Sequence, residues 1–222
     1  SGNVAANTTA TELNIRSLKD YEVIIVNKDD DFSKKVFPLF EIEKNVLILL
    51  DTVHSKRFKS MQRFAGNAKF WSPYSQVFIL TSNLDPASIS LHIKNQLTEQ
   101  KLKNVVGVLP GKKDEYVIFS GHYDHIGIGK ANKEQDSIYN GANDDAAGIT
   151  AVILLSKYFS EIKNNERTII FVAFTAEEIG GFGSRYFSKQ IDASKISAML
   201  NIEMIGTESK WGINSAYITG YE

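Results

Sequence analysis

Residues 115–125 read "EYVIFSGHYDH", an apolar run that leads directly into two histidines and an aspartate. Four consecutive apolar side chains, "YVIF", are typical of a β-strand that is buried on both faces. The polar residues that follow, His122, Asp124 and His125, are of types that bind metals in proteins. This stretch therefore predicts a core strand with a polar site at its carboxyl end.

Two further buried strands and two helices are predicted after this stretch. "RTIIFVAFTA" (167–176) and "KISAMLNIEMI" (195–205) are nearly continuous apolar runs. "DDAAGITAVILLSKYFSEIKNN" (144–165) has the length and alanine content of a buried helix, and "GSRYFSKQI" (183–191) predicts a shorter one. Strands that alternate with helices predict an α/β fold, with a mostly parallel or mixed sheet and helices on both faces.

The chain before residue 96 has a different character. Residues 1–19 are polar and predict a loose lead-in. Residues 20–95 contain four strand-length apolar runs bounded by Asn, Asp, Ser or Pro, among them "YEVIIV" and "NVLILL", and therefore predict a β-rich segment. The α/β pattern occupies the remainder, residues 96–222.

The composition excludes several classes of partner and ligand. Lys and Arg number 25 against 26 Asp and Glu, so the net charge of -1 gives no reason to expect nucleic acid or an anionic membrane as a partner. The chain has no cysteine, which excludes disulfides and thiolate ligands. No apolar run reaches the roughly 18 residues of a membrane span. Any metal must therefore be bound by histidines and carboxylates.

Several acidic residues are predicted to lie at one edge of the α/β sheet. Ligands of such sheets bind beyond the carboxyl ends of the parallel strands. The polar residues at those ends and at the start of the long helix are His122, Asp124, Asp144, Asp145, Glu177, Glu178 and Glu203.

Taken singly, most of these residues have an ordinary structural explanation. Asp144 and Asp145 are typical helix caps, and Glu177 and Glu178 are typical solvated loop charges. Glu203 differs, because it interrupts an apolar run where a buried carboxylate requires a partner or a metal. The joint pattern favours a metal site, since several independent strand ends deliver acids or a histidine to the same edge.

One metal motif is excluded by the histidine count. "HYDH" is similar to the second half of the HxHxDH signature of metallo-β-lactamase-like hydrolases, but Ser120 occupies the position of the first histidine. That fold also requires histidines further downstream. The four histidines of the chain are His54, His92, His122 and His125, and none follows His125.

A second resemblance covers about half of the chain. "NVVGVLPG" (104–111), "SGHYDHIG" (120–127), "GANDDAAG" (141–148), "FTAEEIGGFGS" (174–184) and "NIEMIG" (201–206) occur in this order and spacing. Together they resemble the zinc aminopeptidases of peptidase family M28. The resemblance implies a di-zinc enzyme that removes N-terminal residues from peptides.

The resemblance also implies the metal ligands. His122 binds one zinc ion, and Asp144 bridges it to a second ion, which Glu178 binds. Glu203 takes the acidic position that completes the His122 metal, at a position where many family members have Asp.

Two further residues receive catalytic roles from the resemblance. Glu177 is implied as the general base that takes a proton from a zinc-bound water, so that hydroxide attacks the peptide. Asp124 is implied to orient His122 by accepting a hydrogen bond from its other ring N–H. In the family, the peptide bond matched here by Asp144 and Asp145 is often cis.

The sequence also departs from the family. Family members complete the second metal site with a histidine well downstream of the position of Glu203. Only 19 residues (222 minus 203) follow Glu203, and none is His. We interpret residues 96–222 as the N-terminal part of a peptidase domain that stops before this histidine, so that the 222-residue chain itself lacks a ligand. We interpret residues 20–95 as a reduced protease-associated domain.

Other functions remain open at this point. One alternative is a non-catalytic interaction domain on a peptidase scaffold, and another is a glutaminyl cyclase-like enzyme, which uses one zinc on the same fold. The presence of both His122 and Glu203 favours two metals. His and carboxylates also accept cobalt or manganese. The resemblance to this family also predicts a periplasmic or secreted localisation.

Overall fold

A computed structural model describes residues 2–215 and 217–220, and the chain divides into two units, Ser1–Glu99 and Gln100–Glu222. The first unit contains a four-stranded sheet with the order β1-β5-β4-β3 and a two-stranded ribbon of β2 and β6. Its strands are β1 (Val4–Asn7), β2 (Glu12–Ile15), β3 (Glu22–Val26), β4 (Val46–Leu50), β5 (Gln76–Leu80) and β6 (Leu91–Lys94), and its helices are α1 (Phe32–Val36) and α2 (Ser55–Ala65).

The core of the first unit surrounds β4. All five residues of this strand are buried, because it lies between β3 and β5 and is covered on both faces. Helix α2 contributes Phe58, Met61 and Ala65, which are buried at the i, i+3 and i+7 spacing of one helix face. β3, β4 and β5 are parallel, so α1 and α2 lie in the connections that such strands require.

The prediction of a loose lead-in over residues 1–19 is wrong. Strand β1 pairs antiparallel with β5, with Val4 opposite Ile79, and β2 pairs antiparallel with β6. Ile15 is buried in a cluster with Leu47 and Val77. The sequence did not indicate these strands, because the segment is polar in composition and each strand is only four residues long. The four strands predicted within residues 20–95 are confirmed, but the two helices between them make this unit more than a β-rich segment.

The second unit contains a four-stranded sheet with the order β12-β8-β11-β7. β8 is parallel to β11 and β12, whereas β7 is antiparallel to β11, so the sheet is mixed. Its elements are β7 (Val105–Leu109), β8 (Lys113–His122), β9 (Gly127–Ile128), β10 (Ile138–Tyr139), α3 (Ala147–Ile162), β11 (Arg167–Phe174), α4 (Phe182–Ser188) and β12 (Ile196–Asn201).

Helices cover both faces of this sheet. On β11, Ile169 and Phe171 pack with Val152 of α3, whereas Ile170 and Val172 pack on the other face, where Phe187 of α4 lies. This alternation is the two-residue period of a strand. Successive residues of the continuous apolar run therefore pack in cores on opposite faces of the sheet. The predicted α/β fold with helices on both faces is confirmed.

The longest helix in the described part of the chain, α3, has 16 residues. Within residues 2–215 and 217–220, no helix is both long enough and apolar enough to cross a membrane.

Helix α3 approaches the sheet closely at Gly148. A methyl group at this position would overlap the carbonyl oxygen of Ile202 and the carboxylate of Asp145. Because the obstacle at Ile202 is backbone, no side-chain rotation can relieve it. Gly148 therefore fixes the distance between the start of α3 and the segment after β12.

We expect Gly148→Ala to destabilise the second unit by about 1–3 kcal/mol, the usual cost of overpacking. Hydrogen exchange of the α3 amides measures this as a lower opening free energy. Gly107→Ala is the control, because the added methyl would meet only the Cβ of Phe171, at 4.0 Å. Equal protection of α3 in the two variants would contradict the close contact.

Candidate metal centre

The carboxyl ends of β8, β11 and β12 lie at the same edge of the second sheet. His122 ends β8 and lies opposite Phe174, which ends β11, while Asn201 ends β12 opposite Ser120. The polar residues that follow these strands are therefore neighbours in space, as the sequence predicts.

His122 is buried and held from both sides of its ring. Its Nδ1 lies 2.9 Å from the backbone oxygen of Asp124, and its Nε2 lies 2.9 Å from Oδ1 of Asp144. Burial of the ring opposes protonation. The hydrogen bond to Asp124 and the negative charges of Asp145, Glu177 and Asp144 outweigh that effect and raise the pKa of His122 above its ordinary value.

The carboxylate of Asp124 does not orient His122 in the predicted way. Its Oδ1 is 3.8 Å from Nδ1 of His122, and the backbone carbonyl takes the ring hydrogen bond instead. The carboxylate accepts the backbone N–H groups of Glu177 (3.0 Å) and Glu178 (3.3 Å). It lies two residues beyond β8, where the chain has turned and its side chain faces the end of β11. Asp124 therefore positions both segments, one with its backbone and the other with its side chain.

Asn104 fixes the turn that carries the two glutamates. Its Oδ1 accepts the N–H of Thr175 (3.2 Å), and its Nδ2 donates to the carbonyl of Gly183 (2.9 Å). The two ends of the turn are also joined directly, because the N–H of Gly183 donates to the carbonyl of Thr175. Glu177 and Glu178 thus project from a closed turn rather than from a loose loop.

The two aspartates before α3 have different surroundings. Asp145 is buried, and its carboxylate accepts backbone N–H groups of His122 (3.1 Å), Gly148 (3.1 Å) and Met204 (3.2 Å). Burial raises the pKa of Asp145, although these hydrogen bonds oppose the rise. Asp145 therefore accepts one backbone N–H of the first turn of α3, that of Gly148, although α3 begins after Ala146. Asp144 instead faces His122, and the peptide bond between the two aspartates is cis, as the resemblance implies.

A second cluster of potential ligands lies beside Asp144. One ligand atom from each of His125, Asp144 and Glu178 lies within 4.8 Å of the other two. Nδ1 of His125 is 2.6 Å from Oε1 of Glu178. The sequence indicates His125 as a residue of a metal-binding type after β8, but the family resemblance implies no ligand role for it. The signal that could have found it is its spacing, since it follows His122 by three residues in the turn after the same strand.

Glu203 is not brought to His122 in the described structure. It is exposed, and its Oε1 accepts a hydrogen bond from Nδ2 of Asn201 at 2.7 Å. The expectation of a buried carboxylate is wrong, because β12 ends at Asn201 and lies at the edge of the sheet. Its predicted role as a metal ligand remains a prediction.

Neighbouring Glu177 and Glu178 differ in exposure, as expected for adjacent residues that point in different directions. Glu178 is partly buried against His125, whereas Glu177 is exposed. Partial burial of its carboxyl raises the pKa of Glu177. The charge of His122 opposes this rise, and the carboxylates of Glu203, Glu178 and Asp124 add to it.

The donor atoms of these residues fit a divalent metal. Nδ1 of His122 must donate to the Asp124 carbonyl, so Nε2 carries the lone pair in the neutral ring. Nε2 and Oδ1 of Asp144 are then two acceptors only 2.9 Å apart, an arrangement that requires a proton or a cation between them. Imidazole and carboxylate ligands suit zinc, and also cobalt or manganese.

A cavity of about 340 Å³ adjoins the second cluster. His125 and Glu178 form part of its wall, and Leu102, Ile126 and Ile179 supply apolar surface. The site thus combines ligand atoms with an apolar recess.

Comparisons with known proteins show the family to which the chain belongs. The sequence profile of peptidase family M28 matches residues 104–214. A probable zinc metalloprotease of Pyricularia oryzae is 35% identical over 114 residues, which cover 49% of this chain and 22% of that protein. Aminopeptidase YwaD of Bacillus subtilis is 25% identical over 118 residues, which cover 50% of this chain and 23% of that protein.

A solved structure, the aminopeptidase from Aneurinibacillus sp. strain AM-1, aligns with 92% of this chain and 57% of its own length, with a TM-score of 0.41 and 14% identity. The chain spans less than a quarter of the length of the two curated relatives above. The fold and the site together define an α/β unit with a candidate metal centre at its sheet edge. The chain belongs to peptidase family M28.

We expect Asn104→Ala to loosen the turn that carries Glu177 and Glu178, because it removes one acceptor and one donor from partly buried backbone groups. Loss of such a hydrogen bond costs about 1–3 kcal/mol, so the Thr175 amide should exchange with solvent roughly tenfold faster or more. Asn132→Ala is the matched control, since the amide oxygen of Asn132 also accepts backbone N–H groups but is exposed. An unchanged Thr175 exchange rate would show that Asn104 is not needed.

Proposed function

We propose that this chain forms the metal-binding part of a zinc aminopeptidase, which removes N-terminal residues from peptides by hydrolysis. The position of Asp144 carries the proposal. Its Oδ1 lies 2.9 Å from Nε2 of His122, and its carboxylate also belongs to the cluster with Glu178. A short carboxylate with potential ligands on two sides has the placement that a bridge between two ions requires. Family membership and the names of the relatives support the same activity.

The chain offers ligands for two ions. His122 and Asp144 would hold one zinc, and Asp144 and Glu178 would hold the other. Glu203 would complete the first site in exchange for its hydrogen bond with Asn201. When bound, zinc acts as a Lewis acid and lowers the pKa of its water to about 7.

Glu177 would move the proton. Its carboxylate would accept a proton from the attacking water and deliver it to the nitrogen of the leaving amine as the peptide bond breaks. The Asp124 carboxylate holds the backbone of Glu177 at 3.0 Å, which limits the positions that the Glu177 side chain can reach. Because Glu177 is exposed, its carboxylate is accessible to a substrate.

The charge of the site suits a free N-terminus. Asp124, Asp144, Glu177, Glu178 and Glu203 all lie at one edge of the sheet. Together these carboxylates carry more negative charge than two divalent ions carry positive charge. The remaining negative charge would attract the ammonium group of a peptide. This charge favours an exopeptidase that acts on N-termini.

We expect Glu177→Gln to reduce turnover by at least about 100-fold, the lower range for loss of a general base, while zinc still binds. The assay measures release of p-nitroaniline from a panel of aminoacyl-p-nitroanilides, and calorimetry measures zinc. Glu161→Gln on the exposed surface of α3 is the control and should leave both unchanged. Full turnover in Glu177→Gln would remove this residue from the mechanism.

Zinc should stabilise the chain, because a ligand that binds only the folded state adds about 2.7 kcal/mol at a concentration 100 times its dissociation constant. Thermal unfolding with zinc and with a chelator measures this effect. Asp144→Ala should abolish the stabilisation, whereas Asp114→Ala, which removes only a surface ion pair with Lys195, should retain it. Equal zinc stabilisation of the two variants would argue against Asp144 as a ligand.

Zinc binding without hydrolysis of any peptide substrate, in a form of the protein that also contains the downstream histidine of the family, would favour the alternative, a non-catalytic interaction domain on the same scaffold. Hydrolysis that depends on zinc and requires a free amine, and that stops when the substrate is N-acetylated, would support the aminopeptidase.

A further inference from the structure

We propose that His125 is a ligand of the metal that Glu178 binds. This inference rests on the proposed function, and it assigns one imidazole to each side of Asp144. His122 would serve the first ion and His125 the second.

The contact between His125 and Glu178 is unlike an ordinary surface ion pair. Nδ1 of His125 and Oε1 of Glu178 are 2.6 Å apart, and both atoms are shielded from solvent. Yet they lack the angular geometry of a hydrogen bond, and neither forms one with any other residue that the structure describes. Two buried ligand atoms that converge without sharing a hydrogen bond have the arrangement that a bound cation satisfies.

The first unit contains another close histidine–glutamate pair, with which this contact can be compared. Nε2 of His92 lies 2.7 Å from Oε1 of Glu12, nearly the same separation, but that pair is exposed and hydrogen bonded. Distance alone therefore does not distinguish the two pairs. Burial and the absence of a hydrogen bond within the described residues distinguish the pair of His125 and Glu178.

Asp144 is the third potential ligand of this metal. Its ligand atom lies within 4.8 Å of those of His125 and Glu178. One neutral imidazole and two carboxylates give three protein ligands, the number that catalytic zinc sites use while one position remains open for water or substrate. All three are oxygen or nitrogen ligands of the kind that zinc accepts.

The turn before Asp144 keeps His125 in place. Gly141 adopts a positive φ of 66°, and a Cβ at this position would lie 2.9 Å from Cγ of the His125 ring. The ring therefore packs against the backbone of the segment that carries Asp144. This contact explains how a residue after β8 stays close to an aspartate 19 positions later (144 minus 125).

The direct test observes the imidazole nitrogens of the unsubstituted chain while zinc is added. Long-range ¹H–¹⁵N spectra resolve the rings of the four histidines, which single His→Asn variants assign. We expect zinc to shift the nitrogens of His122 and His125 to values typical of metal coordination and to leave His54 and His92 unchanged. A response from His122 without one from His125 would overturn this inference and leave the proposed function standing. No response from either would overturn both.

Calorimetry separates a ligand from a residue that merely positions Glu178. In His125→Asn the amide could donate a hydrogen bond to Glu178 but is a poor zinc ligand, so we expect one of two sites to weaken at least tenfold. His92→Asn is the matched control and should bind zinc like the unsubstituted chain. Unchanged affinity at both sites of His125→Asn would show that His125 is not a zinc ligand, and the inference would fail.

Discussion

The carboxylate of Asp145 is the interaction on which the second unit depends. It accepts backbone N–H groups from the end of β8, from the first turn of α3 and from the segment after β12. These three segments are far apart in sequence, and α3 has no strand pairing with the other two. A buried carboxylate is costly unless such donors surround it, so the three segments must meet at this point for the site to form. Gly148 permits the approach, because any side chain there would occupy the position of the Ile202 carbonyl.

In both pairs of adjacent acids at the site, the two side chains have different surroundings. Asp145 is buried and structural, while Asp144 turns toward His122 and the candidate metal cluster. Glu178 is partly buried beside His125, while Glu177 remains accessible. Since consecutive side chains diverge in non-helical backbone, a pair of neighbouring acids can place one carboxylate in a buried position and leave the other accessible.

Periodicity predicted most of the second unit, because apolar patterns are local and strong there. The strands β8 and β11, both helices and the edge that gathers the polar residues follow from the runs themselves. Contacts that depend on turns could not be predicted in the same way. The Asp124 carboxylate faces the end of β11, Glu203 lies beyond the true end of β12, and His125 folds back onto Gly141. Each of these depends on one or two backbone angles, which hydrophobic spacing does not encode. In the first unit, strands β1 and β2 were too short and too polar to be recognised.

Asp124 holds two separate segments with two different groups, its carbonyl on His122 and its carboxylate on the backbone of Glu177 and Glu178. Because both segments are hydrogen bonded to Asp124, ordering this residue reduces the conformational entropy of the end of β8 and of the turn after β11 together. Once one segment is ordered, less freedom remains to be lost in the other. A single residue thus couples the two halves of the site energetically, even though they belong to different strands.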